Sequence, residues 1–402
     1  MPLVVVMVGL PARGKTYTAQ KIARYFQWLG HEARVFNVGN YRRERLGSQQ
    51  PASFFDPDNP DGRAARRAMA EAALLDLFRW LDTGGEVAVY DATNITRERR
   101  TWVRSACLER GLEPIFVESV CNDRTIVDAN IRQTKLLSPD YAKADPDQAV
   151  EDFRARIGFY ELAYEPISDE SLSWVKVIDV GRQVIANRVQ GALATRIVSL
   201  VMNLHITPRT VYFTRHGESA YNVTGQLGGD PRLSPRGARY GPALARFFAG
   251  RPKPPVHAWT SALRRTVDTA APLPMRKQAW RVLDEIDAGV CDGWTYAEVA
   301  ARMPDDFARR YSDKLRYRYP QGESYQDVMA RLGPAILELE RQREPVVVVA
   351  HNAVIRCLYA WFSGRSVDEA PHLEIPLHTV IAITPRAYGI EEERFCLELD
   401  LA

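Results

Sequence analysis

The chain has 402 residues, of which 46% are hydrophobic and 26% charged, a composition typical of a globular protein with about two domains. Its net charge of +3 is too small to indicate nucleic-acid binding on its own. The five cysteines are odd in number and form no CxxC pair, which argues against a disulfide framework or a zinc site and favours a reducing, cytoplasmic location.

The first half of the chain alternates apolar runs with helical patterns. Residues 3–8 form a continuous apolar run, too short to cross a membrane but typical of a strand buried on both faces. A helix is predicted from about Lys15, and another over 63–81. Further strands are predicted at 33–38, 86–90, 114–120 and 175–180. Strands that alternate with helices predict a doubly wound, parallel α/β sheet.

The second half begins a new α/β series. The pattern predicts one long helix over 183–203, and HITPRT (residues 205–210) then breaks it with a proline. We therefore expect two domains, 1–205 and 206–402. Strands are predicted at 211–214 and at 346–350, and the second of these ends at His351.

The first motif follows the first predicted strand and opens the helix after it. GLPARGKT matches the phosphate-loop pattern, in which glycines turn backbone N–H groups onto phosphate oxygens. Lys15 would reach the β- and γ-phosphates, and Thr16 would offer its hydroxyl to Mg²⁺. The predicted nucleotide loop comprises Gly9, Leu10, Pro11, Ala12, Arg13, Gly14, Lys15 and Thr16.

A carboxylate and a supply of arginines accompany this loop. Asp91 follows an apolar strand, as a metal-binding carboxylate does. It would either order Mg²⁺ through water or help an acceptor hydroxyl lose its proton. YRRER, ARRA and TRERR hold eight arginines, which suit an acceptor that already carries a phosphate. We expect most of the eight to lie on solvated faces, and we see no RNA-binding module that would use them.

The second motif is a histidine at a strand end. In RHGES, His216 is placed to attack phosphorus and Arg215 to hold the phosphoryl oxygens. Arg265 follows another predicted strand, and Glu285 is a candidate acid for the leaving oxygen. His351 is a second histidine that can stabilise the transition state. The remaining histidines are expected to be structural or solvent-facing: His31, His205, His257, His372 and His378.

These motifs resemble one family over nearly the whole chain, the bifunctional 6-phosphofructo-2-kinase/fructose-2,6-bisphosphatases. The resemblance rests on VGLPARGKT, FNVGNYRRE, DATNITRERR and SPDY in the first half, and on RHGES, EIDAGVCD and YRYPQGESYQD in the second. The second domain alone resembles the wider histidine phosphatase superfamily. The resemblance implies ATP-dependent synthesis of fructose 2,6-bisphosphate from fructose 6-phosphate, and its hydrolysis through a phosphohistidine.

The resemblance also implies roles for individual residues of the kinase. Asn130 and Lys135 would complete the ATP site, and Lys135 would also lie near the transferring phosphoryl group. Asp91 and Cys121 match kinase active-site positions, although a buried apolar role suits Cys121 equally. The implied fructose 6-phosphate site comprises Arg42, Arg66, Thr93, Arg99, Arg156 and Tyr160.

In the phosphatase, the resemblance implies that His216 takes the 2-phosphate and Glu285 protonates the sugar oxygen. The implied substrate site comprises Arg215, Asn222, Gly228, Arg265, Tyr296, Arg310, Lys314, Tyr325, Asn352 and Arg356. Asn352 departs from the glutamine usual in the family. The implied partners are the two sugar phosphates and a second copy of the chain in a homodimer, without nucleic acid or membrane. Regulation through an N-terminal arm or a C-terminal tail is not expected.

Two competing hypotheses remain at this point. One keeps both folds but makes the protein a kinase of another small molecule fused to a broad-specificity histidine phosphatase. The other is a nucleotide-responsive scaffold with inactive sites, against which the intact Lys15, Asp91 and His216 argue.

Overall fold

The structure of the protein is a computed structural model that describes residues 2–48, 50–135, 140, 145–205, 208–385 and 390–399. The chain divides into two compact units, Met1–Ile206 and Thr207–Ala402. Within the described part of the chain, no helix is long and apolar enough to cross a membrane.

The first unit is built on a six-stranded sheet of order β2-β3-β1-β4-β5-β6. Its strands are β1 Leu3–Val8, β2 Ala33–Asn37, β3 Val87–Asp91, β4 Ile115–Val120, β5 Trp174–Ile178 and β6 Gln183–Asn187. The first five strands in chain order run parallel, and β6 is antiparallel to β5. Its helices are α1 Lys15–Trp28, α2 Val38–Leu46, α3 Pro60–Asp82, α4 Arg97–Leu108, α5 Arg124–Lys135, α6 Pro146–Leu162 and α7 Ala192–Val201, with a 3₁₀ turn at Ala52–Phe55.

The central strands explain where the first site forms. Val4 to Val8 in β1 and Val87 to Tyr90 in β3 are fully buried, as the continuous apolar runs predict. Because β1 and β3 are parallel neighbours, the loop after β1 and the last residue of β3 emerge at the same edge of the sheet.

The long helix predicted over 183–203 is wrong. Its first part, Gln183–Asn187, is a strand that pairs with β5, and α7 begins only at Ala192, after Gly191 with φ 87°. The open edge of β5 offers a backbone partner to this segment, and the β-branched side chains of Val184 and Ile185 favour a strand. This pairing is tertiary, so helical periodicity along the chain does not reveal it.

The second unit has a six-stranded sheet of order β12-β11-β7-β10-β8-β9. Its strands are β7 Val211–Arg215, β8 His257–Thr260, β9 Arg276–Ala279, β10 Val346–Ala350, β11 Thr379–Pro385 and β12 Ile390–Cys396. Its helices are α8 Ala220–Thr224, α9 Pro235–Ala238, α10 Tyr240–Ala249, α11 Arg264–Ala270, α12 Tyr296–Arg302, α13 Pro304–Ser312, α14 Tyr325–Arg341 and α15 Asn352–Ser363. Strands β7, β10, β8 and β9 run parallel to one another. Strand β11 is antiparallel to β7, and β12 is antiparallel to β11.

The register of β7 and β10 brings the two motif histidines together. Arg215 pairs with Ala350 at the carboxyl ends of these strands. The next residue of each chain segment is therefore a histidine, His216 or His351, at the same edge of the sheet. The backbone N–H of His216 donates to the carbonyl of Ala350 at 3.0 Å, which holds the backbone of His216 next to the end of β10.

Candidate active sites

The phosphate loop of the first unit has positive φ angles at both of its glycines, Gly9 and Gly14. Gly9 has φ 134°, and a Cβ there would lie 2.4 Å from the carbonyl oxygen of Ser119, so the position requires glycine. Gly14 has φ 81° and caps the N-terminus of α1. The Nζ of Lys15 donates to the carbonyl of Leu10 at 2.6 Å, and burial lowers the pKa of this lysine to about 8. A buried ammonium at a glycine-rich turn that opens a helix is suited to a phosphate.

Asp91 lies beside this loop and is only 2% exposed. The side chains of Asn37 and Thr16 donate hydrogen bonds to its carboxylate. Burial raises the pKa of Asp91, and the charge of Lys15 opposes that rise. Within the described residues, no group of three or more His, Cys, Asp or Glu side chains could hold a metal ion. The Thr16 hydroxyl and the Asp91 carboxylate nevertheless fit Mg²⁺, which takes few protein oxygens and completes its shell with water and phosphate.

A cleft opens next to the phosphate loop. Asn130 donates from Nδ2 to the carbonyl of Ala12 at 3.1 Å and so connects α5 to the loop. Cys121 is 4% exposed, and burial raises the pKa of its thiol, which disfavours a reactive thiolate. His205, expected to be structural or solvent-facing, is buried and lines this cleft. The lining residues are Arg13, Gly14, Tyr17, Thr18, Ser119, Cys121, Asn130, Val177, Val180, Val201, Leu204 and His205.

Two of the predicted sugar-phosphate arginines converge on one carboxylate. Arg42, 6% exposed, places its Nη2 2.7 and 2.6 Å from the two oxygens of Asp140. Arg156 approaches the same carboxylate at 3.8 Å, and its guanidinium lies 3.4 Å from the ring centroid of Phe55. Arg43 is 3.7 Å from Asp140. Three guanidiniums around one carboxylate form an environment that favours an anion.

Two further residues of the predicted fructose 6-phosphate site, Arg66 and Tyr160, lie beside this cluster. Arg66 donates to the backbone carbonyls of Phe54 and Asp56, and its positive charge interacts with Tyr160. The ring centroid of Tyr160 lies 6.0 Å from that of Phe55, so both residues border the same turn as Arg42 and Arg156.

Two predicted residues, Thr93 and Arg99, make their observed contacts outside the arginine cluster, and the side chain of a third, Lys135, is not described. Thr93 contributes a carbonyl that accepts the N–H of Gly9 at 2.9 Å, so its observed contact is with the phosphate loop. The guanidinium of Arg99 lies 4.5 Å from the ring of Trp102, and in the described part of the chain no hydrogen bond or ion pair joins it to the cluster. Lys135 is the last residue of α5, and its side chain lies outside the described part of the structure.

The second unit places His216 in a buried pocket with Arg265 and His351. The Nδ1 of His216 lies 2.7 Å from the carbonyl of Gly217, an acceptor, so Nδ1 carries the proton and Nε2 has the lone pair. Arg265 directs its Nε to that Nε2 at 3.2 Å. The rings of His216 and His351 have centroids 5.2 Å apart. Burial, with Arg265 adding to it, lowers the pKa of His216 to about 3, so the ring is neutral at physiological pH.

Glu285 and Arg215 border the same pocket. The Glu285 carboxyl accepts backbone N–H groups of Ile286, Asn352 and Ala353 at 2.9, 3.0 and 3.2 Å. It therefore lies at the N-terminus of α15, one residue from His351. Arg215 donates to the carbonyl of Ile375 at 3.2 Å, and burial lowers its pKa while the charge of Glu285 opposes that shift.

A second set of cations and tyrosines lies on α12, α13, α14 and α15 and on the loop between α13 and α14. Arg310 donates to the hydroxyls of Tyr319 and Tyr296, both at 2.8 Å. Arg356 donates to the hydroxyl of Tyr325 at 3.1 Å. Burial, together with the nearby charges of Arg356 and Arg310, lowers the pKa of Lys314 to about 8. Three cations held together by phenol groups are suited to a second phosphate.

The remaining predicted phosphatase residues serve the loops around the pocket. The Asn222 side chain accepts from the N–H and the hydroxyl of Ser219, both at 3.0 Å, and so completes the capping box of α8, whose N-cap is Ser219. Gly228 has φ 65°, and a Cβ there would overlap the Asp292 carboxylate. Among the described residues, the buried Oδ1 of Asn352 has no hydrogen-bond partner.

Several residues of these sites were not singled out from the sequence. Asp140 contacts the arginine cluster from 98 positions away in the chain. Ser261 lies 2.7 Å from the Nε2 of His351, and Arg331 donates to the carbonyls of Asp284 and Glu285. Asp140 lies inside the quoted family motif SPDY, but Ser261 and Arg331 lie outside the quoted motifs.

Comparison with known proteins agrees with the geometry of both units. The 6-phosphofructo-2-kinase family matches residues 1–208, and branch 1 of the histidine phosphatase superfamily matches residues 211–397. The chain is 48% identical over 402 residues to 6-phosphofructo-2-kinase/fructose-2,6-bisphosphatase 4 of Rattus norvegicus, covering 99% of this chain and 86% of the relative. The Homo sapiens protein of the same name gives the same identity and coverage. The Gallus gallus 6-phosphofructo-2-kinase/fructose-2,6-bisphosphatase is 48% identical over 403 residues, with the same coverage. The resemblance and the fold class predicted from the sequence are thus confirmed, and the chain belongs to the bifunctional 6-phosphofructo-2-kinase/fructose-2,6-bisphosphatase family.

Proposed function

We propose that the protein makes fructose 2,6-bisphosphate from fructose 6-phosphate and ATP, and hydrolyses it to fructose 6-phosphate and phosphate. The observation that carries the proposal is that each unit holds its own phosphate-handling site. The first has a phosphate loop with an arginine cluster, and the second has a neutral histidine whose Nε2 lone pair faces Arg265 and a separate set of cations. Opposed reactions at separate sites would let one chain set the level of one metabolite.

In the kinase reaction, the cleft beside the phosphate loop would receive the base of ATP and the loop its phosphates. Lys15, buried against Leu10, would exchange that carbonyl for phosphate oxygens. Thr16 and Asp91 would hold Mg²⁺, which supplies charge neutralisation between the phosphates. Arg42 and Arg156 would bind the 6-phosphate of the sugar in place of Asp140. The sugar 2-hydroxyl would then be held against the γ-phosphoryl group, and position and charge would account for most of the rate.

In the phosphatase reaction, the Nε2 lone pair of His216 would attack the 2-phosphoryl group. The P–O bond to the sugar breaks, and Glu285 would give its proton to the departing oxygen. Water would then attack the phosphohistidine and release phosphate, while Glu285 takes a proton from that water. Arg215 and Arg265 would stabilise the charge on the phosphoryl oxygens. Arg310, Lys314 and Arg356 would bind the other phosphate of the substrate, which supports a preference for a bisphosphate over simple esters.

Two further proposals concern the cellular setting. A cytoplasmic location fits five cysteines without a CxxC pair. A homodimer is proposed from the family alone.

One labelling experiment tests both activities. The full chain is incubated with γ-labelled ATP, Mg²⁺ and fructose 6-phosphate, and label is followed into the sugar bisphosphate and then into inorganic phosphate. Lys15→Met should make no bisphosphate but still cleave added fructose 2,6-bisphosphate. His216→Asn should accumulate the bisphosphate.

The controls separate the competing hypotheses. Lys253→Met alters an exposed lysine paired with Glu344, and it should keep both activities. If neither wild type nor His216→Asn transfers label to fructose 6-phosphate, the kinase assignment is refuted and another acceptor is favoured. Nucleotide binding without any transfer of label would favour the scaffold hypothesis.

A further inference from the structure

His351 and Ser261 form a fully buried pair at the edge of the phosphatase pocket. Both side chains are 0% exposed, and the Nε2 of His351 lies 2.7 Å from the Oγ of Ser261. The other ring nitrogen, Nδ1, is buried and has no hydrogen-bond partner among the residues that the structure describes. An unpaired buried polar atom is destabilising because it has lost its hydrogen bonds to water, so its retention next to His216 indicates a ligand that pairs with it.

The chemistry of the ligand determines which nitrogen of His351 carries the proton. Burial, Arg265 and His216 together hold the pKa of His351 well below its ordinary value, so the ring is neutral and carries one proton. A phosphoryl group offers only acceptor oxygens. The nitrogen left for it is Nδ1, because Ser261 occupies Nε2. Nδ1 must therefore be the donor, and Nε2 must be the acceptor.

The contacts of Ser261 are consistent with this direction. Its Oγ accepts the N–H of Leu263 at 3.1 Å and lies 2.7 Å from the Oγ1 of Thr266. The Thr266 hydroxyl also lies 2.8 Å from the carbonyl of Leu263, and if it donates there, the Ser261 proton can go either to Thr266 or to His351. If Thr266 donates to Ser261, both lone pairs of the serine oxygen are used, and its own proton is left for His351. If instead His351 donates to Ser261, the serine is also satisfied, but the lone pair on Nδ1 then faces the phosphoryl oxygens and repels them.

We propose that Ser261 is a positioning residue of the phosphatase, whose hydroxyl donates to the Nε2 of His351 and holds that ring as the Nδ1–H tautomer. In this form His351 donates to the phosphoryl oxygens while the bond between phosphorus and the His216 Nε2 forms and the bond to the sugar oxygen breaks. Ser261 itself touches neither substrate nor nucleophile. The inference rests on the proposed phosphatase reaction.

Nitrogen NMR of the full chain with ¹⁵N-labelled histidine reads the tautomer directly. The chain has seven histidines, and loss of one ring signal in His351→Gln assigns the signal of His351. We expect Nδ1 to be protonated and Nε2 unprotonated in wild type, with and without added inorganic phosphate. In Ser261→Ala the proton should redistribute to Nε2. A wild-type ring protonated at Nε2 would overturn the proposal, even if Ser261→Ala does not fold.

Steady-state hydrolysis of fructose 2,6-bisphosphate gives the second readout. Removal of one transition-state donor costs about 100- to 1,000-fold in rate, and Ser261→Ala only misdirects that donor, so we expect kcat to fall about 10- to 100-fold with KM changed by less than about threefold. Thr384→Val is the matched control. It deletes a hydroxyl that pairs with Thr210 and contacts neither Ser261 nor His351, and it should keep the Nδ1–H tautomer and a kcat within about threefold of wild type.

The two readouts separate this proposal from the reaction on which it rests. A kcat of Ser261→Ala equal to that of wild type would refute the positioning role. A wild-type protein that does not cleave fructose 2,6-bisphosphate would refute the proposed reaction, whereas the tautomer measured with inorganic phosphate tests the Ser261 contact independently.

Discussion

The burial of His216 makes the stability of the second unit depend on pH in a calculable way. Its pKa is lowered from 6.5 to about 3, mainly by burial and then by the charge of Arg265. Between these two values the unfolded chain binds a proton at this residue and the folded chain does not. The contribution of the neutral His216 ring to the free energy of unfolding is therefore fully present above pH 6.5. It is lost progressively as the pH falls toward the pKa of His216 in the folded state.

The magnitude follows from the linkage relation. One proton bound only by the unfolded state changes the free energy of unfolding by about 1.4 kcal/mol per pH unit. Integrated from pH 7 to pH 5, with the unfolded value near 6.5, His216 alone removes about 2 kcal/mol. His351 has its pKa lowered in the same direction and adds to the loss in wild type.

The comparison of wild type with His216→Asn isolates the contribution of His216. The variant should lose about 2 kcal/mol less stability than wild type between pH 7 and pH 5. Each protein is equilibrated in urea at each pH and then labelled by a brief hydrogen-exchange pulse at one fixed pH. Mass spectra of peptides that contain β10, Val346–Ala350, give the unfolded fraction of the second unit, and peptides that contain β1, Leu3–Val8, serve as internal control.

Two results would refute the reasoning. Equal pH slopes for wild type and His216→Asn would mean that His216 is solvated and protonates freely in the folded state. A larger loss in the variant would mean that the folded protein stabilises the imidazolium, which contradicts the buried, neutral nucleophile.

Three further predictions concern the two sites. Gly9→Ala should abolish kinase activity and spare the phosphatase, because its Cβ would clash with the Ser119 carbonyl; retained ATP turnover would show that the loop tolerates the shift. Arg331→Met should lower phosphatase kcat about tenfold or more at nearly constant KM, because Arg331 holds the backbone of Glu285; a change in KM alone would contradict this. Phosphatase kcat/KM should fall as the pH rises through about 8, where Lys314 loses its charge, and this loss should be absent in Lys314→Met.

The sequence by itself determined the features that local chemistry controls. Continuous apolar runs located β1 and β10 to the residue, because a strand buried on both faces needs an apolar side chain at every position. The phosphate loop and RHGES were recognisable because each combines glycine, a charged side chain and a strand end within a few residues. The domain organisation followed from the same alternation of strands and helices.

The tertiary structure decided what depends on residues distant in the chain. The open edge of β5 turned Gln183–Asn187 from a predicted helix into a strand. The carboxylate that faces Arg42 comes from Asp140, 98 positions away, and the hydroxyl that faces His351 comes from Ser261, 90 positions away. Periodicity and motifs report on neighbours along the chain, whereas burial, tautomers and pKa values are set by neighbours in space. For that reason the sequence could predict His216 as a nucleophile, but only the fold shows why its ring is neutral and which of its nitrogens carries the lone pair.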